Sequence, residues 1–248
     1  MKFYFKILIL FLLISGCSAT GDCIKSTGDM TSKEIEVPDF DKIMVYNGIS
    51  LVITQGENYK VVVNSGSNLI DDITINVSNG MLVLKDETTC NWVRDYGQTT
   101  VYVTTPNLTE VYSKTEKTIS SNGVLKFPSL KLVSMDQYDT YEGTGTGDFI
   151  LDIENESIHL ETNNISKFTL SGKTNNFYIG VYDGNGIVDA QNLLANEINF
   201  YHRGTNKVLV HPINSLKGEI YSLGNVISVN KPPIVEVKEY YKGKLVYQ

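Results

Sequence analysis

The side chains able to do chemistry are few and dispersed. Three histidines occur, His159, His202 and His211, and none sits in an H-x-x-x-H or H-E-x-x-H pattern that would aim two imidazoles at one zinc ion. They are expected on turns or facing solvent. No G-x-S-x-G elbow is present, so a nucleophilic serine lacks its strand-to-helix setting. Asp183-Gly184-Asn185-Gly186 comes nearest to a calcium loop, but Ile187 and Leu194 stand where further oxygen ligands and a bidentate Glu are needed. It reads as an inter-strand turn. Gly143-Thr144-Gly145-Thr146-Gly147-Asp148 is rich in glycine, yet no Lys-Ser/Thr and no helix start follow. It reads as a flexible loop. A glycan-cleaving site would draw on Asp136, Asp139, Asp148, Asp152 and Arg203, which are scattered along the chain. Tyr138, Tyr141, Tyr178, Tyr182, Tyr201 and Tyr221 recur at intervals. Their flat apolar faces and polar tips suit either a sugar ring or a ladder covering the outside of a sheet. These patterns lead to no catalytic residue, no metal ligand and no cofactor.

The elements that must position such residues are legible from composition. The chain holds 23 Val, 23 Ile and 21 Thr against 3 Ala, with 22 Asn and 20 Gly. β-Branched side chains fit a pleated strand, Ala is the residue a helix favours, and Asn and Gly accept the positive φ of tight turns. The fold class is therefore all-β. Short apolar stretches alternate with turn signals such as Asn47-Gly48, Ser65-Gly66 and Asn79-Gly80, which predicts hairpins or stacked short strands in a strand-rich N-terminal part. The second half is periodic. Leu160, Ile179, Phe200 and Ile220 are spaced by 19, 21 and 20 residues, and Thr169, Val188, Leu209 and Ile227 by 19, 21 and 18. Two short strands per repeat of about 20 residues predict a right-handed parallel β-helix or β-solenoid, in which stacking joins inward residues into one core. A two-sheet β-sandwich is the alternative. Leu130-Lys131-Leu132 and Phe149-Ile150-Leu151 are read as earlier coils.

The first residues read as an address. Lys2 and Lys6 precede the apolar run Ile7–Ile14, which is too short to remain as a membrane-spanning helix. Ile14-Ser15-Gly16-Cys17 then resembles the lipobox of bacterial lipoproteins. That resemblance implies cleavage before Cys17, lipidation of its thiol, and a membrane anchor carrying several acyl chains. Ser18 in place of an acid favours the outer membrane by the same resemblance, at its periplasmic face or the cell surface. Removing residues 1–16 takes away two Lys, so the balance moves from 21 positive and 28 negative (−7) to 19 and 28 (−9). Nucleic acid is excluded as a main partner by that balance. In an oxidising compartment the two further cysteines, Cys23 and Cys90, are expected to form a disulfide. The organisation expected is a signal peptide over 1–16, a polar tether over 17–33, a β-solenoid head over 34–231, and a C-terminal strand pair or cap over 232–248.

Phe40-Asp41-Lys42-Ile43, Asn47-Gly48-Ile49 and Val52-Ile53-Thr54-Gln55-Gly56 resemble the entry to the head GIN domain of the auto-transporter adhesin family. Val61-Val62-Val63, Asn79-Gly80-Met81-Leu82-Val83-Leu84 and Gly218–Asn225 continue the pattern, and the Cys90–Gly97 segment resembles the lipoprotein members from Bacteroidetes-type bacteria. The resemblance spans roughly residues 34–231. It implies a lipid-anchored cell-envelope protein with a non-catalytic head, serving adhesion or structural interaction with a glycan or a cell-surface protein. A polysaccharide-binding or polysaccharide-degrading β-helix is the alternative reading.

Overall fold

The structure is a computed structural model that describes residues 25–88, 99–136 and 145–248. Cys17, Cys23, Cys90, Tyr138, Asp139 and Tyr141, and with them the expected lipidation and disulfide, lie outside the described residues.

Among the described residues 17 strands join in one hydrogen-bonded network, with a single 3-10 turn at Ile70–Asp72. Ten of them build the N-terminal half: β1 (Met30–Ile35), β2 (Lys42–Tyr46), β3 (Ile49–Gln55), β4 (Lys60–Gly66), β5 (Ile73–Ser78), β6 (Met81–Asp86), β7 (Thr99–Thr105), β8 (Glu110–Lys114), β9 (Ile119–Leu125) and β10 (Ser129–Ser134). Strand β1 begins four residues inside the stretch expected to be tether. It pairs antiparallel with β4, where Lys33, Glu34 and Ile35 face Val63, Val62 and Val61. Asn79 and Gly80 both take positive φ, 51° and 75°, and close the antiparallel hairpin of β5 and β6. Asn47-Gly48 does something else. It turns a corner, after which β2 and β3 pair with different partners: β2 lies parallel between β6 and β8, and β3 parallel between β7 and β9. The first coil of the chain is thus interleaved between two later ones.

Four long strands follow: β11 (Phe149–Thr162), β12 (Lys167–Val181), β13 (Ile187–His202) and β14 (Val208–Ile220). Each bends into two legs. Residues 149–153 of β11 pair with β9, while 157–162 pair with β10. Both legs of β11 then run parallel to β12, β12 to β13, and β13 to β14. β15 (Val226–Ser228), β16 (Ile234–Glu239) and β17 (Leu245–Tyr247) continue the stack, β15 and β16 on the legs of β14 and β17 on β15. The wall so formed is nearly closed and barrel-like around the core. The sandwich alternative is set aside, because Greek-key sandwiches place antiparallel neighbours in each sheet, whereas the neighbours on both legs here are parallel.

Alternation along each leg sends every second side chain inward. Phe149, Leu151, Ile153, Ile158 and Leu160 of β11 join Phe168, Leu170, Phe177 and Ile179 of β12 in one continuous core. Phe149 and Phe168 stack with centroids 4.6 Å apart. The repeat is as read from the sequence, but two columns are offset. Leu160, Ile179 and Phe200 are followed by Gly218, not Ile220. A Cβ on Gly218 would meet the Phe200 carbonyl oxygen at 2.2 Å and its ring at 2.7 Å, so Phe200 of one coil takes the place of a side chain in the next. The inward column of the first leg is Phe168, Val188, Val208 and Val226; Thr169 and Ile227 are only half-buried. In the N-terminal half the outward face of the second leg is also apolar and buried: Met44, Met81, Tyr112 and Val133 form a cluster of their own.

Candidate binding surfaces

The acids considered for catalysis do not converge. Asp148 accepts a bond from the Lys167 amide at 3.4 Å before β11, Asp152 accepts from Ser171 at 3.4 Å on the first leg, and the Asp136 amide is tied to Asn163 at 2.9 Å. Arg203 lies in the turn after β13. Among the described residues no group of three or more His, Cys, Asp or Glu is arranged to hold a metal ion. Asp183-Gly184-Asn185-Gly186 is an inter-strand turn, as expected. Of the Gly-rich loop, Gly145 and Gly147 are buried rather than free, and the Gly145 carbonyl accepts bonds from Ser134, Asn164 and Ser166. His202, expected on a turn or in solvent, is fully buried. It occupies the column of Val181 and Ile220, and its Nε2–H donates to the Asn206 carbonyl at 3.0 Å. Burial holds its pKa below the ordinary value.

The outward face of the second leg carries the tyrosines. His159 and Tyr178 occupy matching positions on adjacent coils, and their rings stack at 4.4 Å. Beside them Glu161 gathers Lys131 at 2.7 Å, His159 at 3.1 Å and the Tyr182 hydroxyl at 3.1 Å. Partial burial alone would raise the Glu161 pKa; the bonds from Lys131, His159 and Tyr182 outweigh it and hold the carboxyl below its usual range. Tyr182 lies over Gly180, where a Cβ would touch its ring at 2.8 Å. From there a strip of rings climbs the stack: Tyr182 to Tyr201 at 5.7 Å, Tyr201 to Tyr221 at 5.1 Å, and Tyr221 to Tyr240 at 4.4 Å with planes 8° apart. Tyr240 extends the set read from the sequence. Glu219 accepts from both Tyr221 (2.8 Å) and Tyr240 (3.2 Å), and the bond to Glu219 is the main reason the Tyr221 phenol stays protonated well above its usual pKa. The lower pairs are tilted and only Tyr221 and Tyr240 stack face on face, so the strip offers ring edges, hydroxyls and the 53% exposed Tyr240.

A second surface was not legible in advance. Where each long strand bends between its legs, a groove of about 570 Å³ opens across β11, β12, β13 and β14. Its floor is a polar ladder. Asn155 donates to the Phe127 and Ser157 carbonyls, both at 3.0 Å, and accepts from Thr174 at 2.8 Å. Asn175 donates to Glu156, and Asn196 to Asn175 at 2.6 Å. Lys173 and Lys126 both face Glu154, at 2.9 and 3.5 Å. Leu194 and Ile213 line the groove with their side chains exposed, 43% and 39%.

The sequence pattern of the family described as "Putative auto-transporter adhesin, head GIN domain" matches residues 39–232. The chain belongs to this family. Solved structures agree on the fold of this head GIN protein. A putative adhesin from Bacteroides fragilis superposes with a TM-score of 0.79 at 16% identity, over 90% of this chain and 99% of that one. A putative adhesin from Parabacteroides merdae gives 0.70 at 19% identity, over 92% and 100%. A protein from Parabacteroides distasonis titled as a putative lipid binding protein gives 0.59 at 17% identity, over 89% and 98%. No curated protein matches the sequence. The likeness fixes the fold of the head GIN chain, and the bonds above describe its outward surfaces.

Proposed function

We propose that this head GIN protein is a non-catalytic, lipid-anchored adhesion or interaction module of the cell envelope, and that its head is a right-handed β-solenoid. Cys17 carries the anchor at the outer membrane, Cys23 and Cys90 form a disulfide, and a glycan or cell-surface protein is the partner. One observation carries the reading: the aromatic strip from Tyr182 to Tyr240, which presents polar tips along the stack and ends in an exposed ring. Apolar bodies with polar edges are the chemistry favoured at protein contacts. The acids, by contrast, are dispersed into separate bonds.

The test is adhesion of cells displaying the full chain to surfaces coated with mucin, collagen or fibronectin. Cells carrying Tyr221→Ser with Tyr240→Ser are expected to lose most binding to any surface that the native chain binds. Equal adhesion by both would remove the strip from the reading. Separately, Cys17→Ser is expected to move the protein out of the membrane fraction; a variant that stays there overturns the anchor.

A further inference from the structure

We propose that the groove at the bend of the coils binds a neutral glycan chain lying along the stacking axis. This site is distinct from the tyrosine strip and goes beyond the adhesion reading.

Three observations point there. The first is where the repeat breaks. Two register shifts between β13 and β14 fall at this bend, between Ala190 and Leu194 and again between Ala195 and Glu197; those at Ile150/Asp152 against β9 and Thr169/Ser171 against β13 lie just before it, on the first leg. Bulges re-aim side chains and gather beside functional sites. Here the extra residues of β13 leave Leu193 buried and turn Leu194 out to solvent. A solenoid built only for stacking would have no reason to expose Leu194 and Ile213 beside a polar ladder.

The second is the chemistry of the lining. Amides, a hydroxyl and carboxylates offer donors and acceptors in alternation, which matches vicinal hydroxyls of a sugar. Leu194 and Ile213 supply apolar surface for its C–H face. The charges nearly cancel, since Lys126 and Lys173, both on Glu154, stand against Glu154 and Glu156, and Glu156 is held by the neutral Asn175 amide. A polyanion would meet Glu154 and Glu156; an acyl chain would have to desolvate the ladder.

The third is spacing. The rungs Glu156–Asn175 and Asn175–Asn196 repeat with the coils, about 4.8 Å apart as adjacent strands are, which is close to the advance of one pyranose in an extended chain. A peptide strand is disfavoured for a separate reason. The coils at the bend already pair with the coils above and below, so no free sheet edge is available for strand addition.

The experiment is affinity electrophoresis of the full chain in detergent, in gels holding β-1,3-glucan, β-1,4-xylan, α-mannan or the polyanion alginate. Retardation is expected in at least one neutral gel and not in alginate. Asn175→Ala with Asn196→Ala should weaken it at least tenfold, and so should Leu194→Arg, which fills the groove from an exposed position. Tyr221→Ser with Tyr240→Ser should leave it unchanged. Migration unaltered in all three neutral gels overturns the proposal. So does retardation in alginate alone, or retardation that survives both groove variants. Loss only in the tyrosine variant also overturns it and moves the site to the strip.

Discussion

The two ends of each leg solve the same problem in opposite ways. Where one coil passes to the next, the turns stack backbone on backbone. The Asn185 amide donates to the Asn164 carbonyl at 3.0 Å, Thr205 to Gly184 at 3.0 Å, Gly224 to Gly204 at 3.2 Å and Gly243 to Ser222 at 2.8 Å. At Gly184, Gly224 and Gly243 the main chain of the neighbouring coil comes so close that a Cβ has no room, so that corner is tied to glycine at those places. At the bend within each coil the strand continues, and side chains do the fastening: Asn155, Thr174, Asn175 and Asn196 bridge coils. The first corner is constrained in sequence and uniform in shape. The second can change residues without breaking the stack, and that freedom is what a recognition surface requires.

The contrast can be broken hardest at the turn corner. A Cβ on Gly224 would lie 2.0 Å from the Asn206 carbonyl oxygen and 2.3 Å from His202 Nε2. Gly224→Ala is therefore expected to cost about 3 kcal/mol or more in urea unfolding, as backbone overlap must be relieved by shifting a coil. At the bend, Asn155→Ala removes three hydrogen bonds from a half-buried amide and should cost about 1–3 kcal/mol, through the carbonyls left unpaired. Gly123, in β9 beside the same bend, has φ 86° but nothing within 4 Å of a built Cβ. Gly123→Ala should lose about 1–2 kcal/mol from its left-handed backbone alone, and a loss as large as that of Gly224→Ala would erase the distinction between the corners. His202 adds pH dependence. Its folded pKa is lowered by burial, so the fold favours the neutral ring. The stability is complete above the unfolded pKa near 6.5 and falls as pH drops below it, by at most about 1.4 kcal/mol per pH unit. Thermal unfolding between pH 7.5 and 5 should show this, and His202→Val should flatten that portion of the curve. The smallest effect is expected for Asn196→Ala, within about 0.5 kcal/mol, because at the bend's surface the residue serves recognition more than folding.

Much of this was legible in the residues. Alternation and the repeat of about 20 gave the strands and the parallel stack, since both follow from local pattern. The tyrosines at 182, 201 and 221 were visible for the same reason. What escaped depended on contacts between distant residues. Gly218 in the Leu160 column is explained by the Phe200 carbonyl and ring, which together leave no room for a Cβ. His202 looked polar and therefore exposed, whereas the column it fills is aliphatic. The groove escaped because it is made by contacts between coils; the one available signal was the break in alternation at Gln191-Asn192, after which Leu193 faces in and Leu194 out. The buried outward cluster of Met44, Met81, Tyr112 and Val133 sits where alternation alone predicts a solvent-facing row.

The interleaved first coil has a consequence in time. Ile43 pairs with Leu82 and with Val111, partners 39 and 68 residues downstream, whereas Leu160 pairs with Ile179 only 19 residues on. As the chain grows, β2 and β3 have no neighbours until β6–β9 have been made, and loop closure on that scale slows folding. β2 and β3 are therefore expected to settle only together with β6–β9. Every later coil can then add singly to a finished template, so the N-terminal half sets the pace of folding and the C-terminal half follows as zipper-like growth.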